Sequence, residues 1–314
     1  MPPINNLKAH IALFSVNTLY GASHVLAKGV MPIYLSPNVF ILFRVSGAVL
    51  LFWLIRLFLK PEKVERKDLL LLSVCGIFGV AVNQLFFFHG LNLSSSINSG
   101  IIMAVNPILV VILSFFLLRE RITGLKLTGI ILGAVGAMLL TLKAGTGKGD
   151  SILGDFFLFI NALSYAFYLV LAKPLMKKYS PFTVITYVFT FGLLFVCLFP
   201  PTLTEFASTD LSGIPIDAWM KILFVIVGVT FLTYLLTMYG LKYLSPSVSS
   251  AYIYIQPVMV VFFAFTLNAI GIADDYTGTV SLEKFLYMLL IFAGVYVTSS
   301  GDRLSERLRT VRKS

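Results

Sequence analysis

Polar side chains recur at helical spacing inside apolar stretches of this chain. Asn17, Gly21, His24 and Lys28 are separated by four, three and four residues, which places them on one face of a helix. Ser95, Ser99, Ile102 and Asn106 repeat that spacing, as do Ser245, Ser249, Tyr252 and Gln256. Asn161, Tyr165 and Tyr168 form a shorter stripe, Tyr20 and Tyr254 add further phenols, and Asn83 and Gln84 are adjacent. Such groups hydrogen-bond a polar solute or tie helices together. Aspartate and glutamate occur only at the ends of the apolar stretches, as Asp155, Asp217 and Glu283, so no Ser-His-acid set forms within them. Three histidines and two cysteines show no metal-ligand spacing. We therefore assign no catalytic residue, no metal ligand and no cofactor.

Two prolines accompany the largest of these amides. Asn106-Pro107 and Gln256-Pro257 each interrupt an apolar run. Proline donates no hydrogen bond and frees the carbonyl four residues back, here Met103 and Ile253. Freed carbonyls at membrane depth are tolerated where protein, water or a cavity satisfies them. Pro107 and Pro257 are candidate kinks or hinges, and Asn106 and Gln256 are expected to line a cavity. The serines are expected to pack helices together.

The ionisable groups are few. Arg44, His24 and His89 fall within apolar stretches, and Lys28 falls at the end of one. Arg44 is about 9 Å from the nearer end at 1.5 Å per residue. It either snorkels to the interface or faces the bundle and pairs with carbonyls or a substrate carboxylate. Each histidine reads first as a satisfied structural imidazole. These four residues and the missing acids favour zwitterionic or anionic solutes over cations.

The elements that must carry these groups are membrane-spanning helices. The chain has 314 residues, is 58% hydrophobic and only 12% charged, and has a mean hydropathy of +0.93. Soluble domains average about 25% charged residues. Ten segments are long enough to cross a bilayer: 9–31, 38–59, 69–91, 95–118, 124–142, 152–172, 181–200, 217–239, 246–268 and 283–301. The expected fold is an all-α polytopic membrane protein of ten transmembrane helices. The first segment reads as a retained helix with no cleavable signal pattern. Cys75 and Cys197 read as small core residues, and Phe86, Phe87 and Phe88 as lipid-facing or core. Gly129 and Gly133 permit close helix approach.

Of the 24 lysines and arginines, 18 fall on the side of both termini and five on the other. That asymmetry predicts a multi-pass protein of the cell (inner) membrane with cytoplasmic N- and C-termini. It also accounts for the net charge of +10 without a nucleic-acid partner. The basic tail 303–314 is expected to fix topology and touch anionic membrane lipid. "AGTGKGDS" lacks the glycine and the hydroxyl residue of a phosphate loop and reads as a linker.

The chain repeats itself. Residues 89–111 lie over 239–261 without a gap: Gly90 on Gly240, Ser95 on Ser245, Asn106 on Gln256, Pro107 on Pro257. "YGASHVLAK" (20–28) likewise lies over "YAFYLVLAK" (165–173). Five helices per repeat is an odd number, so the halves have opposite orientation, a plan common among secondary transporters. The boundaries are 1–143 for the first five-helix repeat, 144–151 for the linker and 152–302 for the second.

With "YGASHVLAK", Arg44, and "NPILVVILSFFLLRERIT" running into "LTGIILGAVGAMLL", the chain resembles the EamA-type members of the drug/metabolite transporter superfamily. The second half keeps "QPVMVVFFAF" but replaces the basic ending with "LNAIGIADDY". The resemblance implies a small-molecule transporter, often an exporter of amino acids or other metabolites. It also implies that helices 1, 3, 4, 6, 8 and 9 line a central cavity. The expected function is a non-enzymatic secondary transporter of small polar metabolites, with export as the expected direction, working by alternating access. Its partners are a small-molecule substrate and membrane lipids, and it acts as a monomer or a homodimer. The candidate substrate-binding residues are Asn17, Tyr20, His24, Arg44, Asn106, Tyr165, Tyr168, Tyr252 and Gln256. A nucleotide-sugar or phosphorylated-metabolite exchanger and an integral-membrane lipid-modifying enzyme remain as alternatives, with a receptor or lipid scramblase beside them.

Overall fold

A computed structural model describes residues 4–26, 33–94, 96–142, 151–269 and 282–311. Among them are ten long helices and no strand. They are α1 (Ile4–Leu26), α2 (Pro37–Arg56), α3 (Arg66–Leu93), α4 (Ser96–Leu118), α5 (Gly124–Leu142), α6 (Ile152–Lys178), α7 (Pro181–Leu198), α8 (Ile216–Tyr243), α9 and α10 (Leu282–Val311). Helix α9 consists of Pro246–Ala251, a 3-10 turn Tyr252–Ile255, and Gln256–Ala269. The long runs of Leu, Ile, Val and Phe leave no face polar enough for water, so several helices are apolar on their exposed sides too. The protein is a multi-pass membrane protein.

Observed and expected spans differ at their ends. α6 continues past 172 to Lys178, α3 and α8 extend by several residues at one or both ends, and α10 is helical to Val311, within the expected tail. A helix outlasts its apolar stretch because its backbone bonds do not depend on lipid. Lys177 and Lys178 also complement the carbonyls of the last turn of α6. A short helix, Pro200–Ser208, follows α7 where a loop was expected. α1 starts at Ile4 rather than 9, and residues 27–32 at its expected end lie outside the described residues.

The helices pack with an exchange symmetry. α3 and α4 of the first half lie on α6, and α8 and α9 of the second half lie on α1. α2 packs on α7 and α5 on α10. Glycines set the closest approaches at matching places: a Cβ on Gly90 would meet Leu158 at 2.9 Å, and one on Gly240 would meet Leu13 at 2.6 Å. α5 and α10 cross at Gly129, Gly133 and Gly294, where a Cβ on Gly294 would lie 2.4 Å from the Gly133 amide nitrogen. The expected packing role of the Gly129–Gly133 pair is what the structure displays.

Side-chain ties identify the two faces of the bundle. On the face where α1 begins, His10 Nδ1 and the Tyr252 hydroxyl are 2.7 Å apart. Lys178 there pairs with Asp68 at 2.9 Å. Lys173 donates to the α8 C-terminal carbonyls of Leu241 (2.6 Å) and Leu244 (2.7 Å). We call this the terminal face. On the far face Ser94 at the end of α3 donates to Asp155 at the start of α6.

Candidate functional site

Two local distortions build the centre of the bundle. α3 widens into a π-helical turn at Ile77–Ala81, and α8 does so at Val225–Leu232, at corresponding places in the two halves. π-turns loosen the regular ladder and recur at functional sites. In α8 the Thr230 hydroxyl donates to the Val225 carbonyl at 2.8 Å, and its oxygen accepts from Arg44 Nε at 3.1 Å. In α3 the Gly79 carbonyl accepts from the Tyr234 hydroxyl at 3.2 Å, and Ser164 of α6 donates to the Phe78 carbonyl. Asn161 Nδ2 donates to the Asn83 carbonyl at 2.7 Å. α6 thus satisfies groups that the distortion of α3 exposes.

Arg44 is the charged member of this centre. It is 6% exposed, so it faces the bundle and does not snorkel. Its guanidinium carbon lies 5.0 Å from the Phe88 ring centroid and 5.7 Å from that of Phe40, within cation–π range. Nε is used by Thr230, while neither terminal nitrogen has a hydrogen bond among the described residues. The phenols of Tyr234 and Tyr20 lie within its electrostatic reach. The Tyr20 and Thr233 hydroxyls are 3.3 Å apart. Gln84 Nε2 donates to the Tyr234 hydroxyl at 2.8 Å. The Tyr165 and Tyr168 rings are tilted against each other with centroids 5.9 Å apart, and the Tyr168 centroid lies 6.4 Å from that of Tyr234. The Tyr168 hydroxyl is buried without a hydrogen-bond partner among the described residues. A cation with open donors, ringed by neutral phenols and hydroxyls, is suited to hold a carboxylate.

The remaining expected residues make contacts between helices. Gln256 Nε2 donates to Asn17 Oδ1 at 2.9 Å across α9 and α1, and Asn17 Nδ2 donates to the Leu13 carbonyl at 2.7 Å. Asn106 Nδ2 donates to the Ala162 carbonyl at 2.6 Å across α4 and α6, while its Oδ1 is buried without a partner among the described residues. These two contacts correspond under the repeat, so the amides tie each half to the first helix of the other. Tyr252 sits at the terminal face on His10, apart from the tyrosine centre. α4 stays a continuous α-helix through Pro107. Before Pro257 the chain tightens into the 3-10 turn, and the Gln256 amide takes the Ile253 carbonyl that proline frees. Ser245 caps α9 through the Val248 amide at 3.4 Å and so is not one of its face residues. Ser249 is buried. The side chains of His24 and Ser99, and the residues Lys28 and Ser95, lie outside the described residues. His89 Nε2 and Asn38 Oδ1 are 2.9 Å apart.

Thr230, Thr233 and Tyr234 were not singled out from sequence. Their helix is apolar, and π-turns have no spacing signature. A signal for one of them did exist: Tyr234 falls on Gln84 when the halves are superposed. No group of three or more histidine, cysteine, aspartate or glutamate residues forms a metal site among the described residues.

A family model described as "EamA-like transporter family" matches residues 7–142 and again residues 152–300. The chain belongs to the EamA-like transporter family. This places it in the drug/metabolite transporter superfamily, as a membrane transporter. The family's ten-helix membrane fold is the one described above. Similar proteins include two from Bacillus subtilis (strain 168). The uncharacterised transporter YyaM is 29% identical over 303 residues, covering 95% of each chain. The uncharacterised transporter YetK is 27% identical over 296 residues, covering 92% of this chain and 86% of its own. A WAT1-related protein of Arabidopsis thaliana, At4g30420, is 26% identical over 54% of each chain. A solved crystal structure superposes with a TM-score of 0.71 at 18% identity, covering 92% of this chain and 97% of that one. It shares the fold.

Proposed function

We propose that this EamA-like transporter moves small zwitterionic or anionic metabolites, amino acids among them, by alternating access between its two halves. Arg44 carries the reading. A buried guanidinium with two open nitrogens needs a partner, and no aspartate or glutamate among the described residues pairs with it. A solute carboxylate supplies that partner reversibly. Tyr20, Tyr165 and Tyr168 complete the proposed substrate contacts, with Tyr234 and Thr233, which add neutral hydroxyls to orient the rest of the solute. Asn17, Asn106, Tyr252 and Gln256 act by holding the surrounding helices. The proposed direction is export across the cell membrane, with both termini cytoplasmic, an orientation that the lysine and arginine asymmetry supports.

A nucleotide-sugar or phosphorylated-metabolite exchanger calls for several buried cations around one solute. Of the other buried or half-buried basic groups, Lys126 is paired with Glu120 at 2.8 Å and Lys173 with backbone carbonyls. The test is uptake into proteoliposomes against a panel of amino acids, their methyl esters, organic acids and quaternary ammonium ions. Transport is expected for solutes with a free carboxylate and lost on esterification. Preference for quaternary cations overturns the reading.

A further inference from the structure

α2 and α7 begin in the same way. Ser36-Pro37 and Ser180-Pro181 place a serine at the N-cap with extended backbone and a proline at the first helical position. Each serine oxygen accepts from an amide of the first turn, Val39 at 3.3 Å and Thr183 at 3.2 Å. Each hydroxyl also donates to a glutamate from the other half. Ser36 donates to Glu205, in the short helix after α7. Ser180 donates to Glu62, in the connection after α2, at 2.9 Å, and the Ser180 amide also points to that carboxylate at 3.0 Å.

The arrangement is reciprocal. The carboxylate that follows α2 seals the start of α7, and the carboxylate that follows α7 seals the start of α2. The Glu62 contact lies on the terminal face and the Glu205 contact on the far face. Each is braced by its neighbours. Arg56 donates to the Glu62 carbonyl at 3.1 Å and to Thr183 at 3.3 Å. Asn38 donates to Glu205 at 2.8 Å and lies on His89. Each carboxylate gains from the exposed amides and positive end of its helix. The serine oxygens cap the helices without help, so the carboxylates are not required for capping. Their effect is to bridge the halves. Beside Glu62 a pocket of about 280 Å³, lined also by Lys60 and Phe182, admits water that can solvate a released carboxylate.

We propose that Glu62–Ser180 and Glu205–Ser36 are a pair of latches, one per face, that the transport cycle breaks in turn. This rests on the alternating-access reading above. Moving the halves apart at either face separates that face's glutamate from its serine while the other contact stays closed.

The test uses the full-length protein in nanodiscs with Cys197→Ala, Cys75 being buried. Spin labels at positions 67 and 177 report the terminal face, and labels at 34 and 212 report the far face. Glu62→Gln is expected to raise the long-distance fraction of the 67–177 pair about tenfold, as loss of a charge-assisted hydrogen bond implies, and to leave the 34–212 pair short. Glu205→Gln is expected to do the reverse. Ser180→Ala and Ser36→Ala should shift the same faces in the same directions, with thermal unfolding confirming that each variant is folded. Lengthening of both pairs together, or of neither, overturns the latches. Wild-type distances that alternate with added solute while the Gln variants leave them unchanged overturn the latches alone. Wild-type distances that never alternate overturn both the latches and alternating access.

Discussion

Gln84 donates a hydrogen bond to Tyr234 at 2.8 Å, and the two residues are 150 positions apart. That is the interval at which Asn106-Pro107 recurs as Gln256-Pro257. The two residues therefore occupy one position in each half and meet where α3 and α8 face each other. A contact between equivalent positions marks the axis that exchanges the halves. It also shows where the symmetry breaks, because one partner is an amide and the other a phenol. Arg44 extends that asymmetry: it approaches Thr230 in α8, and no second arginine stands at the matching place in α7.

Arg44→Gln should lower carboxylate transport by roughly 10–100-fold, the value of one or two charge-assisted hydrogen bonds. Arg44→Lys keeps the charge but loses the fork and the Thr230 contact, so it should fall between the two. Initial rates in proteoliposomes check this, with detergent-solubilised yield showing that both variants fold. Equal rates for Gln and wild type would remove Arg44 from the site.

Asn106→Leu and Gln256→Leu each delete one bond between the halves. Polar contacts between membrane helices average about 0.6 kcal/mol. Each variant should lower the unfolding midpoint slightly and leave the solute KM unchanged. A KM increase of about tenfold or more would return these amides to the solute.

Gly294→Ala places a methyl group 2.4 Å from the Gly133 nitrogen and 2.7 Å from the Gly129 carbonyl oxygen, and backbone cannot step aside. The expected cost is about 1–3 kcal/mol, read as a lower thermal midpoint in detergent. The same change at Gly124, which has nothing within 4 Å, should be neutral.

Glu62 gives a pH signature. Burial alone would raise its pKa, but hydrogen bonds from Thr183 and Ser180, with the Lys242 charge, hold it below the usual glutamate value. Arg56 and Lys60, which share its pocket, and Lys242 of α8 are the charges that face it. A folded-state pKa below the unfolded one adds stability that is present above about pH 4.5 and lost as the pH falls through the lower folded value. The midpoint difference between wild type and Glu62→Gln should be largest near neutrality and shrink on acidification. A difference that grows in acid would contradict the assignment.

The class of the molecule and its plan were determined by sequence. Ten apolar runs, a five-plus-five repeat and the confinement of acids to the ends of the spans are properties of composition and order, which lipid reads directly as solvent. The stripe of polar residues on α1 and the paired Asn106-Pro107 and Gln256-Pro257 were legible for the same reason, since 3.6-residue periodicity needs no partner. Tertiary structure alone decided what each polar group touches. Spacing put Asn17, Asn106, Tyr252 and Gln256 in one class with Arg44 and Tyr20, but packing gave the first four to helix–helix contacts. The π-turns that bring Thr230 to Arg44 and Gly79 to Tyr234 arise from a backbone register that no residue type encodes. The reciprocal bonds of Glu62 and Glu205 join positions far apart in the chain, so only the closing of the two halves brings them together.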